Sequence, residues 1–113
     1  MPPKALIYPE FLPEEGGEAG VEQSKKVHQE FYRLLRNQGV DVVDVWESFE
    51  QGKEKASLYC KSDTHTSGIG LQLISEVIAG SIKSASWYKN MVKTTFHTES
   101  KFVSIHGDLA QMS

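Results

Sequence analysis

Two stretches with the 3.6-residue periodicity of an amphipathic helix constrain this chain's fold most strongly. Residues 21–38 place apolar side chains on one helix face, and Gly39 follows where helices commonly end. Residues 68–84 carry a second, broader apolar stripe. The first face consists of Val27, Phe31, Leu34 and Leu35, and the second of Ile69, Leu73, Ile74, Val77, Ile78 and Ile82. The sequence therefore predicts two helices.

Short apolar runs lie around these helices and favour extended structure. Residues 40–45 are rich in valine, and residues 5–8 form a brief apolar run before a proline. Residues 56–60 and 101–105 are further extended candidates, whereas residues 46–51 have the composition of a short helical turn. The alternation of strand and helix predicts an α/β fold with a mainly parallel sheet.

Length and charge restrict the possible functions. The chain has 113 residues, enough for one small domain, and a formal net charge of -3. This charge gives no electrostatic case for binding nucleic acid or an anionic membrane. The N-terminus lacks the pattern of a signal peptide, and no run approaches the roughly 18 apolar residues of a membrane span. We expect no nucleic-acid partner.

The segment with the most chemical content contains Asp63 and His65. An aspartate that accepts from one imidazole nitrogen fixes the histidine tautomer and leaves the other nitrogen to act as a base. The non-catalytic alternative is that Asp63 caps a turn while His65 points to water. We expect no metal site or cofactor, because His28, His97 and His106 fall into no ligand spacing.

Four segments together resemble the alginate O-acetyltransferase-like (AlgX/AlgJ-type) SGNH hydrolase family. Residues 2–13 resemble its Pro-Lys and Tyr-Pro segment, and residues 39–45 the strand before its active-site loop. Residues 58–65 are similar to its Asp-x-His signature, and residues 105–110 to a later Gly-Asp-Leu segment. Their order and approximate spacing also agree, so the resemblance covers nearly the whole chain.

This resemblance implies a partial three-layer SGNH-like domain over residues 1–113. It also implies a polysaccharide O-acetyltransferase or acetyl esterase that works outside the cytoplasm, in the periplasm or beyond. A polysaccharide or an acetyl-donor protein is the partner that the resemblance implies. By position, Asp63 is the residue that orients the histidine, and His65 is the base that activates a serine.

The sequence also departs from the family pattern. Thr66 stands where the family has a tryptophan, and Gly107-Asp108 is followed by Leu109 rather than by the nucleophilic serine. Ser62 and Ser67 flank the Asp–His pair but suit turn or helix-cap roles better. We therefore expect a fragment that is inactive alone and exposes apolar surface through which copies self-associate.

Two other functions stay open at the sequence level. The chain is a small active hydrolase if an unrecognised serine serves as nucleophile. It is a non-enzymatic carbohydrate-binding or interaction domain if its aromatic side chains form a stacking surface. Those aromatic residues are Trp46, Trp87, Tyr88 and Phe96, and core packing is their default assignment. The single cysteine, Cys60, is expected to be a small buried hydrophobe.

Overall fold

The computed structural model describes residues 1–13, 17–104 and 106–107, without the side chain of Glu18. The regular structure of these residues is helical. Its α-helices are α1 (Lys4–Ile7), α2 (Gly17–Asn37), α3 (Trp46–Gly52) and α4 (Gly68–Ser84), and its short 3-10 helices are Pro9–Phe11 and Ser86–Asn90. The chain divides into two compact units, Met1–Ala56 and Ser57–Ser113, which we call unit 1 and unit 2.

The predicted α/β fold with a parallel sheet is wrong for the residues that the structure describes. They contain no β-strand, and the extended pairing among them is one isolated antiparallel bridge between Tyr59 and Thr66. Residues 40–45 and 101–104 have no regular structure, and Ile105 lies outside the described residues. A single extended run is not stable without a neighbouring strand, which explains why residue composition alone misled the prediction.

Local interactions explain two of these differences. The predicted strand at residues 5–8 instead forms most of α1, because a short apolar run is compatible with either structure. At the end of residues 40–45, a carboxylate oxygen of Asp44 accepts a hydrogen bond from the backbone N–H of Trp46 at 2.9 Å. Such local hydrogen bonds to an aspartate side chain compete with strand pairing. Here the bond holds the N–H of Trp46, the first residue of α3.

The helix predictions are confirmed. The helix predicted for residues 21–38 corresponds to α2, although α2 begins earlier, at Gly17, and the turn predicted for residues 46–51 corresponds to α3. The second long helix, α4, has both of its predicted ends. At the end of α2, Gly39 has a φ of 78°, and the N–H of Val40 donates to the Leu35 carbonyl at 3.1 Å. This is a Schellman ending, in which glycine adopts the left-handed conformation at little steric cost.

Unit 1 packs around a small apolar core. Phe49 of α3 is fully buried at its centre. The other buried residues of this unit are Pro2, Ile7, Val21, Val45 and Trp46. The Lys53 ammonium donates to the Ile7 carbonyl at 2.8 Å, which ties the end of α1 to the residue after α3. Trp46 is thus a core residue, as its default assignment predicted.

A partly buried ion pair joins α2 to α3 in the same unit. The Lys25 ammonium lies 2.5 Å from the Glu50 carboxylate and 6.0 Å from the centre of the Trp46 ring. The hydrogen bond between the two side chains raises the pKa of Lys25 and lowers the pKa of Glu50 from their ordinary values. Folding therefore favours the charged form of both groups.

The apolar face predicted for α2 is largely exposed. Val27, Phe31 and Leu34 each leave about half of their surface in contact with solvent. Together with the polar neighbours Gln23, Lys26 and Glu30 they line a shallow groove along the helix. The expectation of exposed apolar surface is confirmed for this helix.

Unit 2 contains α4 and the chain that leads into it. Leu58 and Tyr59 are buried, whereas several apolar residues of α4 stay exposed, among them Ile69 and Leu71. None of the helices within the described residues has the length and apolar character needed to cross a membrane.

We predict that Phe49→Ala strongly destabilises unit 1, because it removes a fully buried ring from a small core. The expected loss is about 3–5 kcal/mol in the free energy of unfolding. Urea unfolding followed by circular dichroism measures it. Phe96→Ala is the matched control, since Phe96 is largely exposed and lies outside any helix. Equal unfolding midpoints for the two variants would contradict the assignment of Phe49 to the core.

The ion pair predicts a pH-dependent loss of stability in Lys25→Met. Because the native pKa of Glu50 is lowered, its contribution is present above the unfolded-state pKa and disappears as the pH falls through the native value. The variant should lose less than about 1 kcal/mol at neutral pH, since solvent screens the pair. In acid, below the native pKa of Glu50, it should match the unaltered chain.

Lys26→Met is the control for this experiment, because Lys26 forms no ion pair among the described residues. Unfolding free energies of the three proteins across the acidic range provide the comparison. A deficit in Lys25→Met that persists unchanged in acid would show that lost packing, rather than the ion pair, is responsible.

Candidate functional site

The candidate site is a tight reversal of the chain between residues 58 and 67. The Cys60 N–H donates to the His65 carbonyl at 3.1 Å, and the Ser67 N–H donates to the Leu58 carbonyl at 2.9 Å. These two bonds flank the Tyr59–Thr66 bridge, so residues 61–64 form the turn. The side chains of Leu58 and Tyr59 are buried in unit 2 and anchor the reversal.

The start of α4 fixes the other side of the reversal. The Ser67 hydroxyl accepts from the Gly70 N–H at 3.1 Å and donates to the Ser57 carbonyl at 2.7 Å. Ser67 is therefore the N-cap of α4, as predicted, and its hydroxyl is engaged twice. The Ser62 side chain is exposed in the turn, and its predicted role as a turn hydroxyl stays a prediction.

Gly70 is a requirement that the sequence analysis missed. A Cβ added at Gly70 would overlap the carbonyl oxygen of Leu58, and the side chain of Thr66 lies 3.2 Å from the same position. Glycine thus permits the close approach of α4 to the chain that precedes the turn. Helix propensity alone could not have revealed this contact, because Leu58 is twelve residues away.

Asp63 and His65 meet within the turn. One carboxylate oxygen of Asp63, Oδ1, accepts from the backbone N–H of His65 at 2.8 Å. The same oxygen lies 2.5 Å from Nδ1 of the His65 ring. A carboxylate only accepts hydrogen bonds, so Nδ1 carries the proton and Asp63 holds both the backbone and the ring of His65.

The two side chains differ greatly in exposure. Asp63 is 7% exposed as a residue, whereas the side chain of His65 is 78% exposed. A buried carboxylate needs hydrogen-bond donors, and His65 supplies two of them. The ring is therefore fixed at one edge and presented to solvent at the other, which is the arrangement expected of an oriented base.

The side chains of two other residues with possible chemical roles, Cys60 and His28, make structural contacts. The Cys60 thiol is partly buried and donates a weak hydrogen bond to the Thr66 carbonyl at 3.7 Å. In unit 1, the His28 ring packs against Trp46 with centroids 5.6 Å apart, and its Nδ1 donates to the Ser24 carbonyl at 2.9 Å. Within the described part of the chain, no three His, Cys, Asp or Glu side chains cluster to hold a metal ion.

Comparison with known proteins decides the family. The model of a family described as "SGNH hydrolase-like domain, acetyltransferase AlgX" matches residues 1–113. The chain belongs to this family. The resemblance drawn from its four sequence segments is thereby confirmed.

Two curated relatives are similar to this member of the AlgX family. A probable alginate O-acetylase AlgJ of Pseudomonas aeruginosa is 28% identical over 83 residues, which is 74% of this chain and 20% of the relative. The protein of the same name from Azotobacter vinelandii is 29% identical over 83 residues, 74% of this chain and 21% of the relative. The chain thus spans about a fifth of their length. No solved structure matches it.

The match to these relatives includes the candidate site. A stretch of 83 residues within a chain of 113 contains positions 63 and 65 wherever it begins. The turn that joins Asp63 to His65 is therefore within the similar region.

We predict that Ser67→Ala destabilises unit 2 by about 1 kcal/mol, because it removes the N-cap of α4. Ser75→Ala is the matched control, since the Ser75 hydroxyl only donates back to the Leu71 carbonyl within the same helix. That change should be nearly neutral or slightly stabilising. Denaturant unfolding monitored by helical circular dichroism gives both values, and a larger loss in Ser75→Ala would contradict the capping role.

Proposed function

We propose that these 113 residues contribute the Asp–His part of the catalytic triad of an SGNH-type O-acetyltransferase. One observation carries the proposal: Asp63 Oδ1 lies 2.5 Å from His65 Nδ1. The chain's membership in the AlgX family makes acetyl transfer the chemistry to which such a pair belongs. In this role Asp63 orients the ring, and His65 is the general base.

The proposed reaction uses a serine that lies outside these residues. Nε2 of His65 takes the proton from the serine hydroxyl while the serine oxygen attacks the acetyl carbonyl of the donor. Collapse of the tetrahedral intermediate expels the donor's leaving group, which takes the proton back from His65, and leaves an acetyl-serine. A sugar hydroxyl then attacks the acetyl-serine while His65 takes its proton. The bond between the serine oxygen and the acetyl group breaks, the serine oxygen receives the proton from His65, and the acetyl group stays on the sugar.

The serines within the sequence do not supply this nucleophile in our proposal. Ser67 is engaged as a helix cap, and Gly107-Asp108 is followed by Leu109. No Gly-Asp-Ser sequence occurs among the 113 residues. Because triad members act as a unit, the pair without its serine retains little of the catalysis. We propose that residues 1–113 are a partial domain that is inactive alone.

The substrate and location follow from the family and the relatives. Both curated relatives carry the name probable alginate O-acetylase, so we propose alginate or a related polysaccharide as the acetyl acceptor. An acetyl-donor protein is the proposed second partner, and the site of action is outside the cytoplasm. The exposed apolar face of α2 is the surface through which we propose self-association of the isolated chain.

We predict that the purified chain does not turn over p-nitrophenyl acetate above the level of His65→Ala. The physical reason is that an oriented base without a positioned alcohol provides no acyl-enzyme route. His97→Ala, which removes another exposed histidine, corrects for the weak reaction of surface imidazoles. Hydrolysis that falls in His65→Ala but not in His97→Ala would mean that the chain contains its own nucleophile.

A chimera tests the proposed role of the pair directly. The 83-residue stretch of the Pseudomonas aeruginosa relative would be replaced by the matching stretch of this chain. We expect the chimera to hydrolyse p-nitrophenyl acetate, and Asp63→Ala or His65→Ala to lower the rate by about 10²–10⁴-fold, the usual contribution of a general base.

Asp41→Ala is the control in the chimera, because Asp41 is an exposed carboxylate in the same stretch. It should leave the rate unchanged. If the chimera is active and His65→Ala leaves its hydrolysis rate unchanged, His65 is not the general base, since the acetyl chemistry then proceeds without this ring.

A further inference from the structure

We propose that Gly107 is a positioning residue for the Asp63–His65 pair, an inference that rests on the function proposed above. Gly107 lies 44 residues after Asp63, yet a Cβ added at Gly107 would overlap the carbonyl oxygen of Ser62. The Cβ of Asp63 lies 3.2 Å from the same position. The backbone of Gly107 thus packs directly against the peptide that carries the Asp63 side chain.

This contact bears on the pair because it touches the peptide that carries the Asp63 side chain. The Ser62 carbonyl belongs to the peptide bond immediately before Asp63, so its position sets where the Asp63 side chain begins. Asp63 Oδ1 lies 2.8 Å from the backbone nitrogen of His65 and 2.5 Å from Nδ1 of its ring. A displacement of the Ser62–Asp63 peptide by a few tenths of an ångström therefore changes both of these distances.

A glycine is required at position 107 for space rather than for backbone conformation. Glycines with positive φ in the described residues are Gly17 and Gly39, and Gly107 is not among them. The φ of residue 107 therefore does not itself require glycine, and the methyl group of an alanine would overlap the Ser62 carbonyl and crowd the Asp63 Cβ. Backbone atoms yield less readily than the end of a flexible side chain, so the strain falls on the turn that holds the pair.

Another glycine of unit 2, Gly80 in α4, supplies a matched control. A Cβ added at Gly80 meets no atom within 4 Å. Gly80→Ala therefore adds the same methyl group to unit 2 without touching the turn, and it slightly favours the helix. Differences between Gly107→Ala and Gly80→Ala consequently report the contact with Ser62 and Asp63 rather than the general effect of replacing a glycine.

The test measures which ring nitrogen of His65 carries the proton, by ¹⁵N NMR of the full chain above the titration range of imidazole. The unaltered chain and Gly80→Ala should show His65 mainly protonated on Nδ1. Gly107→Ala should lower that fraction by about twofold or more, because the ring loses its fixed acceptor. The unaltered chain should also show a nuclear Overhauser effect between the α-protons of Gly107 and the β-protons of Asp63.

Each contrary outcome overturns the proposal. A missing Gly107–Asp63 Overhauser effect removes the contact itself. An unchanged His65 tautomer in Gly107→Ala shows that the contact does not position the ring. Unfolding of the whole of unit 2 in Gly107→Ala, seen as lost dispersion in α4, assigns Gly107 to general stability instead.

The proposal and the function on which it rests fail in different experiments. The tautomer measurement needs no catalysis, whereas the chimera measures acetyl chemistry. If the chimera is inactive but Gly107→Ala shifts the His65 tautomer as expected, the proposed function is wrong and the positioning role of Gly107 stands. If the chimera is active and depends on His65 but the tautomer does not change, the function stands and the positioning role is wrong.

Discussion

The candidate site depends on one buried carboxylate. Asp63 is 7% exposed, and its Oδ1 binds both the backbone N–H and the ring of His65. Burial gives the carboxylate a strong need for donors, and His65, only two positions away, supplies two of them. This need holds the turn in shape and leaves most of the His65 ring in solvent. The same interaction thus stabilises the turn and gives the ring its orientation.

Two close backbone approaches in unit 2 support this turn. Gly70 brings the start of α4 against the Leu58 carbonyl, and Gly107 lies against the Ser62 carbonyl. The Ser67 cap adds hydrogen bonds between α4 and the chain before the turn. Backbone contacts and one cap, rather than a large apolar core, therefore fix the geometry around Asp63. A small unit can achieve precision in this way because each contact excludes alternative positions of the main chain.

Periodicity and local chemistry predicted the helices and the pair but not the fold class. The helices α2 and α4 were predicted because their apolar stripes and the Gly39 ending are local features. The valines of residues 40–45 favour a strand, but strand formation needs a partner, and none is present among the described residues. The close approaches of Gly70 and Gly107 were likewise out of reach, since each depends on a residue far along the chain.

Hydrogen exchange at the His65 amide tests the central claim most directly, because that N–H donates to the Asp63 carboxylate. Exchange would be followed by NMR in the unaltered chain and in Asp63→Ala, with the Gly70 amide, which donates to the Ser67 hydroxyl, as internal reference. We expect a protected His65 amide whose protection disappears in Asp63→Ala while that of Gly70 persists. A His65 amide that exchanges at the rate of an unstructured residue in the unaltered chain would contradict it.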